Sequence, residues 1–118
     1  MKKKILYIED DKDTAQSFEL LLKKDYDIDL AYTAKKGLEK IKTKKYDLIV
    51  IDILLPDESG FILFNKIKNV KTKKVFLSAY EFEERRIMEF KKEGLAQYIL
   101  KPFDKNCLQK EFKKILED

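Results

Sequence analysis

Four short apolar runs in this chain each stop at side chains able to do chemistry. The run Lys4–Ile8 ends at Glu9 and Asp10, Leu48–Ile51 at Asp52, Val75–Leu77 at Ser78, and Tyr98–Leu100 at Lys101. The chain contains no histidine and a single cysteine, Cys107, so histidine-based catalysis, histidine phosphotransfer on this chain and His metal sites are excluded. Three carboxylates without imidazole or a thiolate pair suit a hard divalent ion such as Mg²⁺, which takes octahedral oxygen ligands and shares them with water and phosphate. Lys101 and the Ser78 hydroxyl add a cation and a donor, which complement a phosphoryl group. Asp52 is then a candidate nucleophile, since carboxylates form aspartyl-phosphate intermediates. Metal and lysine would share the charge of the transferring group.

For these residues to meet, the runs that carry them must be parallel strands. Leu48–Ile51 is β-branched-rich and lacks polar alternation, which fits a strand covered on both faces, with Asp52 at its end. Asp57-Glu58-Ser59-Gly60 follows as turn chemistry. Between the strands, apolar residues recur at helical spacing. Ala15, Phe18, Leu21 and Leu22 mark a helix over 13–24, and Thr33 caps one carrying Ala34, Leu38 and Ile41. A third helix starts near Ser59 with Phe61, Phe64 and Ile67 and ends near Asn69. A fourth spans 82–93, with Ile87, Met88 and Phe90 on one side and Gly94 as its C-terminal cap. Asp104 caps the last, whose stripe is Leu108, Phe112, Ile115 and Leu116. Tyr26–Tyr32 alternates apolar and polar, so that strand has one exposed face and lies near an edge.

Five strand–helix alternations predict an α/β doubly wound domain with a parallel sheet. In such sheets the ligand site lies beyond the carboxyl ends of the strands, at the point where strand order reverses. Glu9, Asp10, Asp52, Ser78 and Lys101 would converge there. Each has a plainer role alone: Asp10 as a helix cap, Ser78 as a small core residue, Lys101 as a surface lysine. Their joint position at one end of four strands is what favours a site.

The bulk numbers agree with one small domain: 118 residues and 14.1 kDa, 44% hydrophobic. Charged residues make up 41%, but 26 Lys+Arg against 22 Asp+Glu leave only +4, with both signs interspersed. That is a solvated surface rather than a nucleic-acid footprint. A Lys-Thr-Lys-Lys repeat at 42–45 and 71–74 precedes two strands, and with Lys2–Lys4 would gather lysines at the strand-entry edge; solvated loop lysines are the preferred reading. No stretch reaches the apolar length of a membrane span, and Ile5–Ile8 is too short for a signal-peptide core. With one cysteine, the cytoplasm is the expected location.

The chain resembles the receiver domain of two-component response regulators, chemotaxis-regulator-like, over essentially all of residues 1–118. The resemblance rests on Ile8-Glu9-Asp10, on the D-x-x-x-P-x-x-x-G pattern Asp52, Pro56 and Gly60, on Ser78-Ala79, and on Lys101-Pro102-Phe103. It implies a flavodoxin-like five-stranded parallel sheet of order 2-1-3-4-5 with helices on both faces. It implies that Asp52 accepts a phosphoryl group from a sensor histidine kinase or histidine phosphotransfer protein. Mg²⁺ would be held by Asp10, Asp52 and the backbone carbonyl of Leu54, with Glu9 acting through water. Ser78 and Tyr98 would be the switch pair, Ser78 drawn to the phosphoryl oxygens and Tyr98 turning inward. The face made by the fourth helix, fifth strand and fifth helix would then change its downstream protein partner. The domain would be a phosphoacceptor signalling module rather than an enzyme, catalysing only its own phosphorylation and slow dephosphorylation. A cis peptide, common in the family, is open to Lys101-Pro102 because proline lowers its cost.

Departures from the family pattern matter. Glu9 stands where Asp is common and lengthens one arm of the metal site. Leu55 replaces a common Met, conserving volume. Gly94-Leu95-Ala96-Gln97-Tyr98 lacks the acids of a Gly-Ala-Asp-Asp-Tyr segment, which argues against the salt-bridged dimer of many DNA-binding regulators. Leu54 and Tyr80 stand at positions that, in the family the chain resembles, tune attack of water on the acyl phosphate, and an apolar residue with a bulky aromatic there implies slow hydrolysis. Three other readings are open to the residues. A haloacid-dehalogenase-like phosphatase needs a second acid, where Asp52-Ile53-Leu54 has Leu54, and needs room for a cap domain. An interaction-only, unphosphorylated receiver is disfavoured because every expected functional residue is present. Direct nucleic-acid binding would have to use the lysine-rich edge. With no output segment after the last helix, the chain reads either as a stand-alone receiver or as a piece of a longer regulator.

Overall fold

The computed structural model describes residues 1–117. Among them strands and helices alternate: β1 (Lys3–Ile8), α1 (Lys12–Leu22), β2 (Tyr26–Ala31), α2 (Ala34–Thr43), β3 (Leu48–Ile51), α3 (Gly60–Lys66), β4 (Lys73–Ser78), α4 (Glu84–Lys92), β5 (Leu95–Leu100) and α5 (Lys105–Leu116). The five strands form one parallel sheet, as their alternation with helices predicts, in the order β2-β1-β3-β4-β5 that the family resemblance implies.

Side-chain parity along each strand divides the core in two. Leu6, Ile8, Ile49, Ile51 and Phe76 face one side, where Ala34 of α2 and Leu63 and Phe64 of α3 cover them. Ile5, Tyr7, Leu48, Val50, Val75, Leu77 and Ile99 face the other, under Phe18 and Leu22 of α1 and Leu108 and Phe112 of α5. Every residue of β3 is buried, because helices cover the central strand on both faces. Removing each such aliphatic side chain from water contributes about 1.5–3 kcal/mol. β2, at the edge, keeps most of its residues only half-buried.

The helix starts follow local chemistry. Asp11, Thr33 and Asp104 each accept a backbone N–H of the first turn, from Thr14, Lys36 and Cys107 respectively. Gly94 has φ +111° and ends α4, a backbone state that a Cβ disfavours.

Some boundaries differ from those the sequence predicts. α3 stops at Lys66, earlier than Asn69, as the Ile67 N–H is already shared between Leu63 and Phe64 carbonyls. α4 begins at Glu84 instead of Phe82, because the Phe82 ring is taken into an aromatic cluster with Phe61, Tyr80 and Tyr98. Met88 is half exposed, since one residue's rotation from Ile87 carries it off the packed face. β4 and β5 start earlier than their apolar runs, at Lys73 and Leu95, and Lys74 is buried with its ammonium donating to the Val70 carbonyl. The second Lys-Thr-Lys-Lys segment is thus partly strand, and only its first two residues precede β4.

Candidate functional site

The reversal of strand order falls between β1 and β3, whose ladder runs on past the strands, the Asp52 N–H donating to the Ile8 carbonyl at 3.0 Å, while the Glu9 N–H extends the β1–β2 ladder by donating to the Ala31 carbonyl at 2.9 Å. Glu9 and Asp52 are therefore delivered side by side at the carboxyl edge, on backbone as fixed as the sheet itself. Both are buried, whereas Asp10 is exposed at the rim. Carboxylate oxygens of Glu9, Asp10 and Asp52 all lie within 4.8 Å of one another.

Lys101 supplies the opposite charge. Its N–H donates to the Ser78 carbonyl at 2.9 Å, which extends the β4–β5 pairing and aims the side chain back across the edge. Its ammonium pairs with Glu9 Oε1 and lies 3.2 Å from Asp52 Oδ2. Burial alone would lower this lysine's pKa. The hydrogen bond to Glu9 and the charges of Asp52 and Glu9 outweigh it and hold the group above the ordinary lysine range. Partial desolvation and the neighbouring Glu9, through a hydrogen bond and its charge, push Asp10 above the ordinary carboxylate range.

Glu9 has more partners than a surface acid would. Oε1 also accepts the Tyr7 hydroxyl at 2.9 Å, and Oε2 accepts the Asp11 N–H at 3.1 Å. Tyr7 is fully buried, its ring tilted against Phe18 at 4.2 Å between centroids. Burial first, and then the Glu9 charge, raise its hydroxyl well above the ordinary tyrosine range, so it remains a neutral donor. In the sequence alone Tyr7 reads as part of the apolar run that ends at Glu9. The available signal was a hydroxyl two residues before an acid on a strand, hence on the same face.

Ser78 ends β4 at this edge, buried, with its hydroxyl reached only loosely by the Tyr80 N–H at 3.4 Å. Tyr98 packs edge-on against Phe76 and Phe82 and donates its hydroxyl to the Tyr80 carbonyl. Burial and then the Asp52 charge push its pKa up to about 12. Leu54 and Tyr80 are both substantially exposed and line one apolar groove of about 460 Å³ with Leu55, Phe61 and Phe82. The Lys101-Pro102 peptide is cis.

Gly60, the first residue of α3, and Asp57, in the loop before it, fix the segment that follows β3. Gly60 approaches the Asp52 backbone so closely that a Cβ there would stand 2.4 Å from the Asp52 carbonyl oxygen. Asp57 accepts the Ala34 and Lys35 N–H groups at 2.9 Å each, capping α2 from the loop after β3. Asp57 was read from sequence only as a turn residue.

The donor set fits a hard divalent cation. The three candidate ligands are all carboxylates, Cys107 lies away on α5, and the Lys101 ammonium already pairs with two of the acids. Among the described residues, no helix is long and apolar enough to cross a membrane.

Comparison with known proteins assigns the family. The family model of the response regulator receiver domain matches residues 5–113. The response regulator ArlR of Staphylococcus saprophyticus is 34% identical over 102 residues, covering 86% of this chain and 46% of that protein. The transcriptional regulatory protein DltR of Streptococcus agalactiae is 35% identical over 104 residues, with the same coverage. The chain thus spans about half the length of the curated relatives it matches. Among solved structures, a two-component response regulator from Clostridium difficile superposes with a TM-score of 0.89 at 35% identity, covering 98% of this chain and 97% of that one. A CheY-like receiver domain protein from Methanospirillum hungatei gives 0.90 at 30%, covering 99% and 95%. The chain belongs to the receiver domain family of two-component response regulators.

Proposed function

We propose that residues 1–118 form a phosphoacceptor signalling domain in which Asp52 takes a phosphoryl group from the phosphohistidine of a sensor kinase or histidine phosphotransfer protein. The observation that carries this reading is the buried Asp52 carboxylate at the end of β3, with Lys101 Nζ at 3.2 Å and the acids Glu9 and Asp10 beside it. An Asp52 oxygen attacks phosphorus as the phosphorus–nitrogen bond of the donor breaks. The electron pair stays on the imidazole nitrogen, which takes up a proton, and an acyl phosphate remains on Asp52. Lys101 pairs with a phosphoryl oxygen once it leaves the carboxylates, and Ser78, whose hydroxyl is only loosely held, donates to another.

Asp10, Asp52 and the Leu54 carbonyl would hold Mg²⁺, with Glu9 acting through water. When bound, Mg²⁺ neutralises charge on the transferring phosphoryl oxygens. Tyr98 and Ser78 meet through the Tyr80 segment, since Ser78 accepts the Tyr80 N–H and Tyr98 donates to the Tyr80 carbonyl. Movement of Ser78 would thereby reach α4, β5 and α5, the face offered to a downstream protein target. The slow loss of the phosphoryl group is assigned to Leu54 and Tyr80, whose apolar surfaces flank the path of water. Its expected setting is the cytoplasm, with no membrane insertion and no direct nucleic-acid contact. The test is incubation with acetyl phosphate and Mg²⁺, borohydride reduction of the acyl phosphate, and peptide mass mapping. Reduction at residue 52 is expected, and a label at any other residue contradicts the assignment.

A further inference from the structure

The Tyr7 hydroxyl lies at the floor of this site without belonging to its chemistry. Tyr7 and Glu9 are two apart on extended backbone, so their side chains share a face, and the hydroxyl reaches Glu9 Oε1 at 2.9 Å. Both residues are almost wholly shielded from water, so neither can exchange this partner for solvent. The same oxygen accepts the Lys101 ammonium, while Oε2 is tied to the Asp11 N–H. Glu9 is thus held inward by three donors, two of them sharing one oxygen.

We propose that Tyr7 is a positioning residue of the phosphoryl site: its hydroxyl keeps Glu9 as a back wall, out of direct contact with the metal, and draws on the charge that holds Lys101, so that Lys101 can be released to the phosphoryl group. The proposal rests on the phosphoacceptor reading above. It also gives the longer glutamate arm a reason. An aspartate at position 9 would be one methylene short of Tyr7, beyond hydrogen-bond range.

Two consequences run in opposite directions. Without the hydroxyl, the less compensated Glu9 carboxylate attracts a divalent cation more strongly, and it also grips Lys101 more tightly. Tyr7→Phe keeps the ring, its packing on Phe18 and the shape of the core. It is expected to tighten Mg²⁺ binding, measured by calorimetric titration, about three- to tenfold, a part of the strength of a hydrogen bond to a charged group. The phosphorylation rate with phosphoramidate at saturating Mg²⁺ should fall by a similar factor. In a Glu9→Asp background, where the arm no longer reaches, Tyr7→Phe should change neither quantity.

A fluorinated tyrosine at position 7, a stronger donor of nearly the same shape, should shift both quantities the other way and does not depend on Tyr7→Phe folding. Unchanged binding and rate in Tyr7→Phe would overturn the proposal, as would losses of both that recur in the Glu9→Asp background. A parent protein that takes up Mg²⁺ and phosphoryl normally isolates such a failure to Tyr7. One that takes up neither overturns the phosphoacceptor reading, and the Tyr7 proposal with it.

Discussion

Lys101 Nζ lies 3.2 Å from Asp52 Oδ2 across the carboxyl edge of the sheet, joining residues that are 49 positions apart in the chain. The ammonium is the charge that allows two buried acids to stand together at this edge. Replacing it leaves Glu9 and Asp52 facing one another uncompensated. In Lys101→Met, Mg²⁺ is expected to bind about tenfold more tightly, because a competing cation has gone from a partly buried site. The phosphorylation rate should fall at the same time. Titration calorimetry beside a phosphoramidate time course separates the two effects, and weaker Mg²⁺ binding would contradict the arrangement.

Asp57 ties the loop after β3 to the start of α2 through two amide hydrogen bonds. Asp57→Ala should cost about 1 kcal/mol in urea unfolding, the usual scale of a lost helix cap, and Asp57→Asn less, since one acceptor oxygen survives. Burial would raise this carboxyl, but the Ala34 and Lys35 amides outweigh it and hold it below the ordinary carboxylate range. Its contribution is therefore complete above the unfolded value of about 4 and is lost as pH falls through the depressed folded value. The melting temperature should drop more steeply below about pH 4 in the parent than in Asp57→Ala.

Gly60 is required by backbone rather than by chemistry. A Cβ would press on the Asp52 carbonyl oxygen and on the Ile53 Cα, neither of which can swing aside. Gly60→Ala is expected to destabilise the fold by about 1–3 kcal/mol, the range for overpacking, and to lower phosphorylation by shifting the end of β3. Chemical denaturation together with the phosphorylation assay checks both. An unaltered protein would mean that the loop yields more easily than its packing implies.

The groove beside Asp52 predicts the lifetime of the phosphoryl group. Leu54 and Tyr80 line it with hydrocarbon and a bulky aromatic ring, which stand in the way of an attacking water. Slow hydrolysis is expected, and Leu54→Asn with Tyr80→Ala should accelerate it severalfold. Following loss of the phosphoryl mass with time decides this, and fast hydrolysis in the parent would contradict it.

Much of this was legible in the sequence for a physical reason. A central parallel strand covered on both faces has to be an apolar run, so its polar terminus stands out, as Asp52 and Ser78 do, while Lys101 is marked by the short apolar run that ends the edge strand β5. Glu9 and Asp10 followed from the same rule at β1. The partners lost to the sequence were those whose interaction depends on three-dimensional arrival. Tyr7 reads as one more apolar strand residue until its hydroxyl is seen on Glu9, and Asp57 reads as a turn acid until α2 is brought to it. Two features of α4 are hidden for a related cause. None of its residues is fully buried, so its weak apolar stripe marks neither its start nor the exposure of Met88, although Phe90 packs on the core as the spacing predicts.

Whether Asp52 accepts the phosphoryl group is decided by intact mass after incubation with phosphoramidate and Mg²⁺, in the parent protein and in Asp52→Asn. A gain of one phosphoryl group is expected in the parent, none without Mg²⁺, and none in Asp52→Asn. A gain that persists in Asp52→Asn would mean that another residue is the acceptor.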